Sequence, residues 1–236
     1  MKRSDMAEFF RVFWEAIKDF WEELLLLALM NLLTVLFAFP VVTFPPALAG
    51  LWSAANLVAK GKAIHWSDYF DGFRHYFWKA WRLALINILV LVVIYTNIRF
   101  YTPGVAPFKI NQSVSTWIST FFTLTGIVWL MIQMYPMALL LEQEDERVRL
   151  ALRNAAFLTA LKPGFTLLLF VALVLIAIVS SLITILWVLV TLSFFAVLCN
   201  KAVLHLLEPY RKQAQQLKEG GKEGNVDGSG EGAVHP

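Results

Sequence analysis

The sequence predicts an all-α polytopic membrane protein, with six membrane-embedded helices (five is the alternative) and amphipathic helices at the interface. Three observations predict it. First, 58% of the 236 residues are hydrophobic and 16% are charged, whereas a soluble domain is about 45–50% apolar and about 25% charged. Second, the excess is concentrated: Leu24 to Ala59 and Phe165 to Asn200 are each 36 residues without one charge. As helix, each run would measure about 54 Å, and a bilayer core about 30 Å thick needs about 20 apolar residues per crossing. Third, Lys and Arg gather in alternate connections, as the positive-inside rule requires. An ordinary soluble enzyme is excluded.

Residues 1–23 read as a cytosolic interfacial helix. Phe9, Phe10, Phe13, Trp14, Ile17, Phe20 and Trp21 recur at three- and four-residue spacing, opposite Glu8, Arg11, Glu15, Lys18, Asp19 and Glu22. Such a helix lies flat at the headgroup boundary. No cleavable signal is evident, because Met1, Lys2 and Arg3 lead into an acidic, aromatic stretch; the first apolar run is expected to stay as a span.

The membrane domain is placed at 24–208, with spans at about 24–41, 46–60, 82–101, 117–141, 165–181 and 183–206. Pro40, Pro45 and Pro46 divide the first run, since proline lacks a donor and restricts its predecessor. The turn is expected at 42–45, with Pro46 in the first turn of the returning helix. Residues 61–82 form a second interfacial helix, with Ser67 as N-cap and Trp66, Tyr69, Phe70, Phe73, Tyr76, Phe77, Trp78 and Trp81 among Arg74, Lys79 and Arg82. Pro103, Gly104 and Pro107 mark a loop. Arg147 to Leu161 forms a short helix stopped by Lys162-Pro163-Gly164. The last run is expected to fold back at Ser180-Ser181. The tail, 209–236, carries six glycines between Gly220 and Gly232 and is expected to be disordered.

Six passages put Lys2, Arg3, Arg11, Lys18, Lys60, Lys62, Arg74, Lys79, Arg82, Arg147, Arg149, Arg153, Lys162, Lys201, Arg211, Lys212, Lys218 and Lys222 on one side, 18 of the 20 cations. Only Arg99 and Lys109 fall on the other. If 46–60 does not cross, the N-terminus flips and the split becomes 14 to 6. The expectation is an inner-membrane protein with both termini cytoplasmic.

The chemistry is sparse. No Asp or Glu lies in a predicted span, which argues against a proton relay or ion-coupled pump. Asn31, Asn87, Asn97 and Gln133 are intramembrane amides. They either bond neighbouring helices or line a path for a neutral, hydroxyl-rich solute. His65, His75, His205 and His235 show no metal-binding spacing, and no phosphate loop, nucleophile elbow or dinucleotide fingerprint is present. Glu142, Glu144, Asp145 and Glu146 lack the spacing of a calcium loop and read as a solvated charged loop. The lone Cys199 excludes an internal disulfide and is expected to be an inert packed thiol. No catalytic residue, cofactor, metal or nucleic-acid partner is expected; the bilayer is the expected partner.

Phe39-Pro40-Val41-Val42-Thr43-Phe44-Pro45-Pro46-Ala47-Leu48-Ala49-Gly50-Leu51-Trp52 resembles the YesL-like family of bacterial membrane proteins, known chiefly as a domain of unknown function. The resemblance continues through Asp68-Tyr69-Phe70-Asp71-Gly72-Phe73-Arg74, Tyr135-Pro136 and Leu152-Arg153-Asn154-Ala155-Ala156, covering roughly residues 15–210. Phe44 stands where the family more often has a small aliphatic followed by glycine. Members are often encoded beside carbohydrate-transporter components, so the resemblance implies an accessory or regulatory role in sugar uptake, with transporter subunits as partners. Arg147, Arg149 and Arg153 are the candidate docking residues. The alternative is a small facilitator for a sugar or polyol.

Overall fold

A computed structural model describes residues 3–102 and 111–226 of the chain. The described residues are 87% helical, and no strand occurs among them. Among the described residues ten α-helices follow in order: α1 (Arg3–Glu22), α2 (Leu24–Ala38), α3 (Phe44–Ala59), α4 (Trp66–His75), α5 (Phe77–Tyr101), α6 (Gln112–Ile132), α7 (Pro136–Glu142), α8 (Val148–Leu161), α9 (Pro163–Leu182) and α10 (Leu192–Val226). A π-helical turn, Trp187–Thr191, leads into α10. Pro103, Gly104, Pro107, Lys109 and residues 227–236 of the expected loop and tail lie outside the described residues.

The hub is α3. Ala47, Ala49, Gly50, Ala54, Ala55 and Ala59 give it a thin profile, and it packs against α1, α2, α4, α5, α7 and α10. Small residues let helix backbones approach without a hydrophobic drive between spans. The closest approach is to α4, where Gly50 and Gly72 meet. A Cβ on Gly50 would lie 2.6 Å from the Tyr69 carbonyl oxygen, and one on Gly72 would overlap Ser53. Gly61 ends the helix at φ +69, a left-handed conformation open to glycine at no steric cost.

Around this hub, α1 meets α2 at 88°. The aromatic stripe predicted for α1 divides in two. Phe9, Val12, Ala16 and Phe20 are buried, with Phe9 edge-on to Phe165 and Phe20 edge-on to Phe194. Phe10, Trp14 and Trp21 face outward, and the Lys18 ammonium sits over the Trp14 ring. A helix with two apolar stripes grips the body with one and presents aromatics to its surroundings with the other.

Among the described residues, four helices are long and apolar enough to cross a membrane: Phe77–Tyr101, Gln112–Glu142, Pro163–Leu182 and Trp187–Gln216. The number rises to five if the bent pair α1–α2 counts as one. The outer surface of α5 is apolar and exposed at Leu85, Ile88, Leu89, Val92 and Val93; α6 and α9 expose similar rows. Such rows suit lipid contact.

The six predicted passages are not all found. The helices α2 and α3 have only 15 and 16 residues, or about 22–24 Å, and α3 is a core helix with few outward groups. Their turn lies at residues 39–43 instead of 42–45. At its tip, the Trp81 indole at the start of α5 donates to the Val42 carbonyl at 2.9 Å. A hairpin crossing the bilayer would put Val42 on the side opposite Trp81.

Smaller corrections follow the local chemistry. His65, and not Ser67, precedes α4, and its N–H donates to Asp68 Oδ2 at 2.7 Å. The last apolar run turns at residues 183–186. Ser180 and Ser181 remain inside α9, where the Ser181 hydroxyl bonds back to the Ala177 carbonyl and Thr191 donates to Ser180. Pro163 opens α9 instead of only closing α8, as proline at a first turn does. The helix does not end at Pro209: α10 continues to Val226, first through Arg211, Lys212, Gln213, Ala214, Gln215 and Gln216, strong helix formers, and then past Gly220, Gly221 and Gly224.

Candidate functional site

Polar groups meet in several places among the described residues, including Glu8 with Lys162 and His205, and two of these places hold predicted site residues. One is the charged face formed by the chain after α7, α8 and the ends of α3, α5 and α10. Glu142 was expected in a solvated loop, yet its side chain is only 4% exposed. It accepts from Asn56 Nδ2 at 2.7 Å, from Lys60 Nζ at 2.6 Å and from Arg211. Asn56 also donates to Asn200 Oδ1 at 3.0 Å, and Asn200 Nδ2 reaches the Trp52 carbonyl. A buried carboxylate is tolerated because cations and amides fill its lone pairs. Nearby, Lys201 bridges Asp19 at 2.5 Å and the Ala59 carbonyl at 3.3 Å.

Glu146 is held in the same way. Its carboxylate accepts from Tyr76 at 2.9 Å, contacts His75 Nε2 at 2.7 Å and accepts from Lys79. Burial alone would push this carboxyl up. The Lys79, His75 and Tyr76 bonds outweigh it and hold the group below the ordinary carboxylate value. Burial, and then the bond to this carboxylate, push the Tyr76 hydroxyl up. Glu142 and Glu146 therefore fasten both ends of the loop that precedes α8. Sequence reasoning missed them because a run of acids reads as solvated; the partners come from distant helices.

On this fixed mount, α8 buries Val148, Ala151, Ala155 and Leu158 against α5, α6, α7 and α9. Arg147, Arg149 and Arg153 all face outward. Arg147 makes one exposed pair, with Asp145 at 3.7 Å; Arg149 and Arg153 have no partner among the described residues. Phe157 and Leu161 are exposed one and two turns further along.

The second region is a partly open cavity of about 190 Å³ between α3, α5 and the α6–α7 break, lined by Pro45, Trp52, Ala84, Asn87, Gln133 and Met137 among others. It unites two of the four predicted amides. Asn87 Oδ1 accepts from the Trp129 indole at 2.9 Å, which leaves its NH2 group unbonded. Gln133 Nε2 is buried and has no partner among the described residues. The other two amides lie elsewhere. Asn31 is fully buried; its Nδ2 donates to the Trp187 and Val188 carbonyls at 2.8 and 2.7 Å, and its Oδ1 accepts from Ser193 N–H at 2.8 Å. It satisfies the backbone of the π turn. Asn97 is half-exposed and donates to its own helix, at the Val93 carbonyl. The four amides do not line one path.

Pro40, Pro45 and Pro46 lie at the α2–α3 turn. Pro45 is in the first turn of α3 and on the cavity wall. Val41, between them, has φ 49, a left-handed conformation strained for a β-branched residue. Cys199 is buried. Among the described residues, no three His, Cys, Asp or Glu side chains converge on a point that could hold a metal ion.

Residues 24–98 match a family described as a protein of unknown function, DUF624. The match spans α2 to most of α5, less than half of the chain. It includes the quoted segments at 39–52 and 68–74; those at 135–136 and 152–156 fall beyond it. No curated protein matches the chain, and neither does any solved structure.

Proposed function

We propose that this chain is a non-enzymatic membrane protein of the bacterial inner membrane, accessory to or regulatory for a transport system, and that the outer face of α8 receives its partner. The observation that carries the reading is the contrast within one loop. Of its acids, Glu142 and Glu146 are consumed by internal partners and exposed Asp145 pairs with Arg147, whereas on the adjoining α8 Arg149 and Arg153 stand one turn apart with no partner among the described residues, beside exposed Phe157. Basic groups ringing an apolar anchor, on a rigid mount, favour docking of an acidic surface. The YesL-like resemblance, with which the DUF624 match is consistent, supports carbohydrate-transporter subunits as the partner.

The same reading gives a topology. The four long helices cross, the α2–α3 hairpin stays on the side of the α5 start, and both termini are cytoplasmic. The α8 face is then cytoplasmic too.

The test is cross-linking in native membranes followed by affinity purification and mass spectrometry. A transporter subunit is expected at near-stoichiometric yield. Changing Arg147, Arg149 and Arg153 together to Glu is expected to cut that yield about tenfold or more, as loss of charge complementarity costs, while the melting temperature stays put. Equal capture by the triple variant would remove α8 from the reading.

The facilitator reading has one observation in its favour, the shared cavity of Asn87 and Gln133. Its walls are mostly apolar, and two amides cannot satisfy a sugar bearing a hydroxyl on almost every carbon.

A further inference from the structure

The geometry of the Asn87–Gln133 cavity points to a lipid site: we infer that it holds the ester carbonyl and adjoining methylenes of one glycerolipid taken from the surrounding bilayer. Four features select this occupant. Two amides at the cavity have free hydrogen-bonding capacity among the described residues, the NH2 of Asn87 and the Gln133 amide with its buried Nε2; an acceptor on the ligand pairs the Asn87 donor and, with the Gln133 amide turned toward it, the Nε2. The remaining lining, including Pro45, Leu48, Ala49, Trp52, Leu83 and Met137, is apolar; the ligand must be apolar away from that acceptor, because unpaired polar groups lose solvation there.

Size is the third feature. The cavity measures about 190 Å³, close to an apolar cavity of about 150 Å³ that takes benzene and below the 300–1,000 Å³ of common ligand pockets. It admits a segment of a lipid, not a whole small-molecule ligand. Depth is the fourth. Trp78 is exposed and Lys79 and Arg82 stand beside it at the start of α5, the residue types that mark the headgroup level. Asn87 lies five residues past Arg82, about 7.5 Å along the helix, where headgroups give way to acyl chains. Leu85, Ile88 and Leu89, beside Asn87 on α5, are exposed, so the rest of the acyl chain continues over an apolar surface.

The experiment reconstitutes the full chain into nanodiscs of diester phosphatidylcholine or of its diether analogue, which lacks the carbonyls, and counts lipids retained in native mass spectrometry. The wild type is expected to keep one diester lipid and to retain the diether about fivefold less, the scale of one hydrogen bond. Gln133→Leu is expected to melt at the same or a higher temperature and to lose the preference. Ala84→Phe, which fills the cavity, is expected to retain neither. Equal retention of diester and diether by the wild type overturns the inference, as does no retention, or unchanged retention by a folded Ala84→Phe. If Ala84→Phe does not fold, Gln133→Leu decides alone: an intact ester preference in that variant overturns the inference.

Discussion

Two asparagines of the same chemistry have opposite weights. Asn31 closes three bonds in a buried place, two to carbonyls of the π turn and one from the Ser193 N–H at the start of α10, and Asn97 bonds only to its own helix. Removing a buried partner leaves its neighbours desolvated and unpaired, at about 1–3 kcal/mol. Asn31→Leu is therefore expected to lower stability by about 2–3 kcal/mol, and Asn97→Leu by less than about 0.5 kcal/mol. Thermal melts in detergent check the difference; equal losses would contradict this account of Asn31. Gln143 gives the converse case. Both of its amide atoms are buried and unbonded, so Gln143→Leu is expected to leave stability unchanged or raise it. Neither behaviour was legible in the sequence, where Asn31, Asn97 and Gln143 differ only in position.

At the scale of elements, fastenings decide what moves. The loop before α8 is held by Glu146, whose folded carboxyl titrates below its ordinary value of 4.5. A depressed carboxyl stabilises the fold above its unfolded pKa, and that stability is lost as pH falls through the folded value. The melting temperature of the wild type is expected to fall more steeply below about pH 4.5 than that of Glu146→Gln; parallel profiles would sink the assignment. The crossing of α3 and α4 is the second fastening. Gly72→Leu has no room beside Ser53 and is expected to cost more than about 3 kcal/mol, read as loss of folded protein in detergent. Periodicity and punctuation located α1, α5, α8 and α9 within a few residues, because uncharged runs, prolines and aromatic spacing act locally. The turn at residues 183–186 escaped, because no glycine or proline marks it and Ser180, expected at the turn, lies inside α9 with its hydroxyl accepting from Thr191. The split of the α1 stripe also escaped, since one sequence cannot say which of two aromatic rows meets α9 and α10.

For the whole molecule, the charge census fixes parity and not number. The α2–α3 hairpin carries no charged residue. Withdrawing both of its passages leaves the same 18 cations on one side and the same two on the other. Five passages satisfy the rule less well, at 14 to 6, while six and four satisfy it equally. The bond from Trp81 to Val42 favours four. The test is Val42→Cys, in a chain whose one native cysteine is buried, with an impermeant maleimide applied from either face of membrane vesicles. Labelling is expected from the cytosolic face; labelling from the opposite face only would restore the six-passage arrangement. The π turn at Trp187–Thr191 has its own reach. Such a turn admits one residue beyond the α-helical count, and each residue advances the helix by about 100°. Everything downstream is thereby rotated into phase, with Asn200 against Trp52 and Asn56 and Lys201 against Asp19. Asn31 is the pin on this phase adjustment. Were the turn to wind as regular α-helix with every residue kept, Asn200 would advance toward the seat the ammonium of Lys201 now fills, and the charged face at the other end of α10 would lose its alignment.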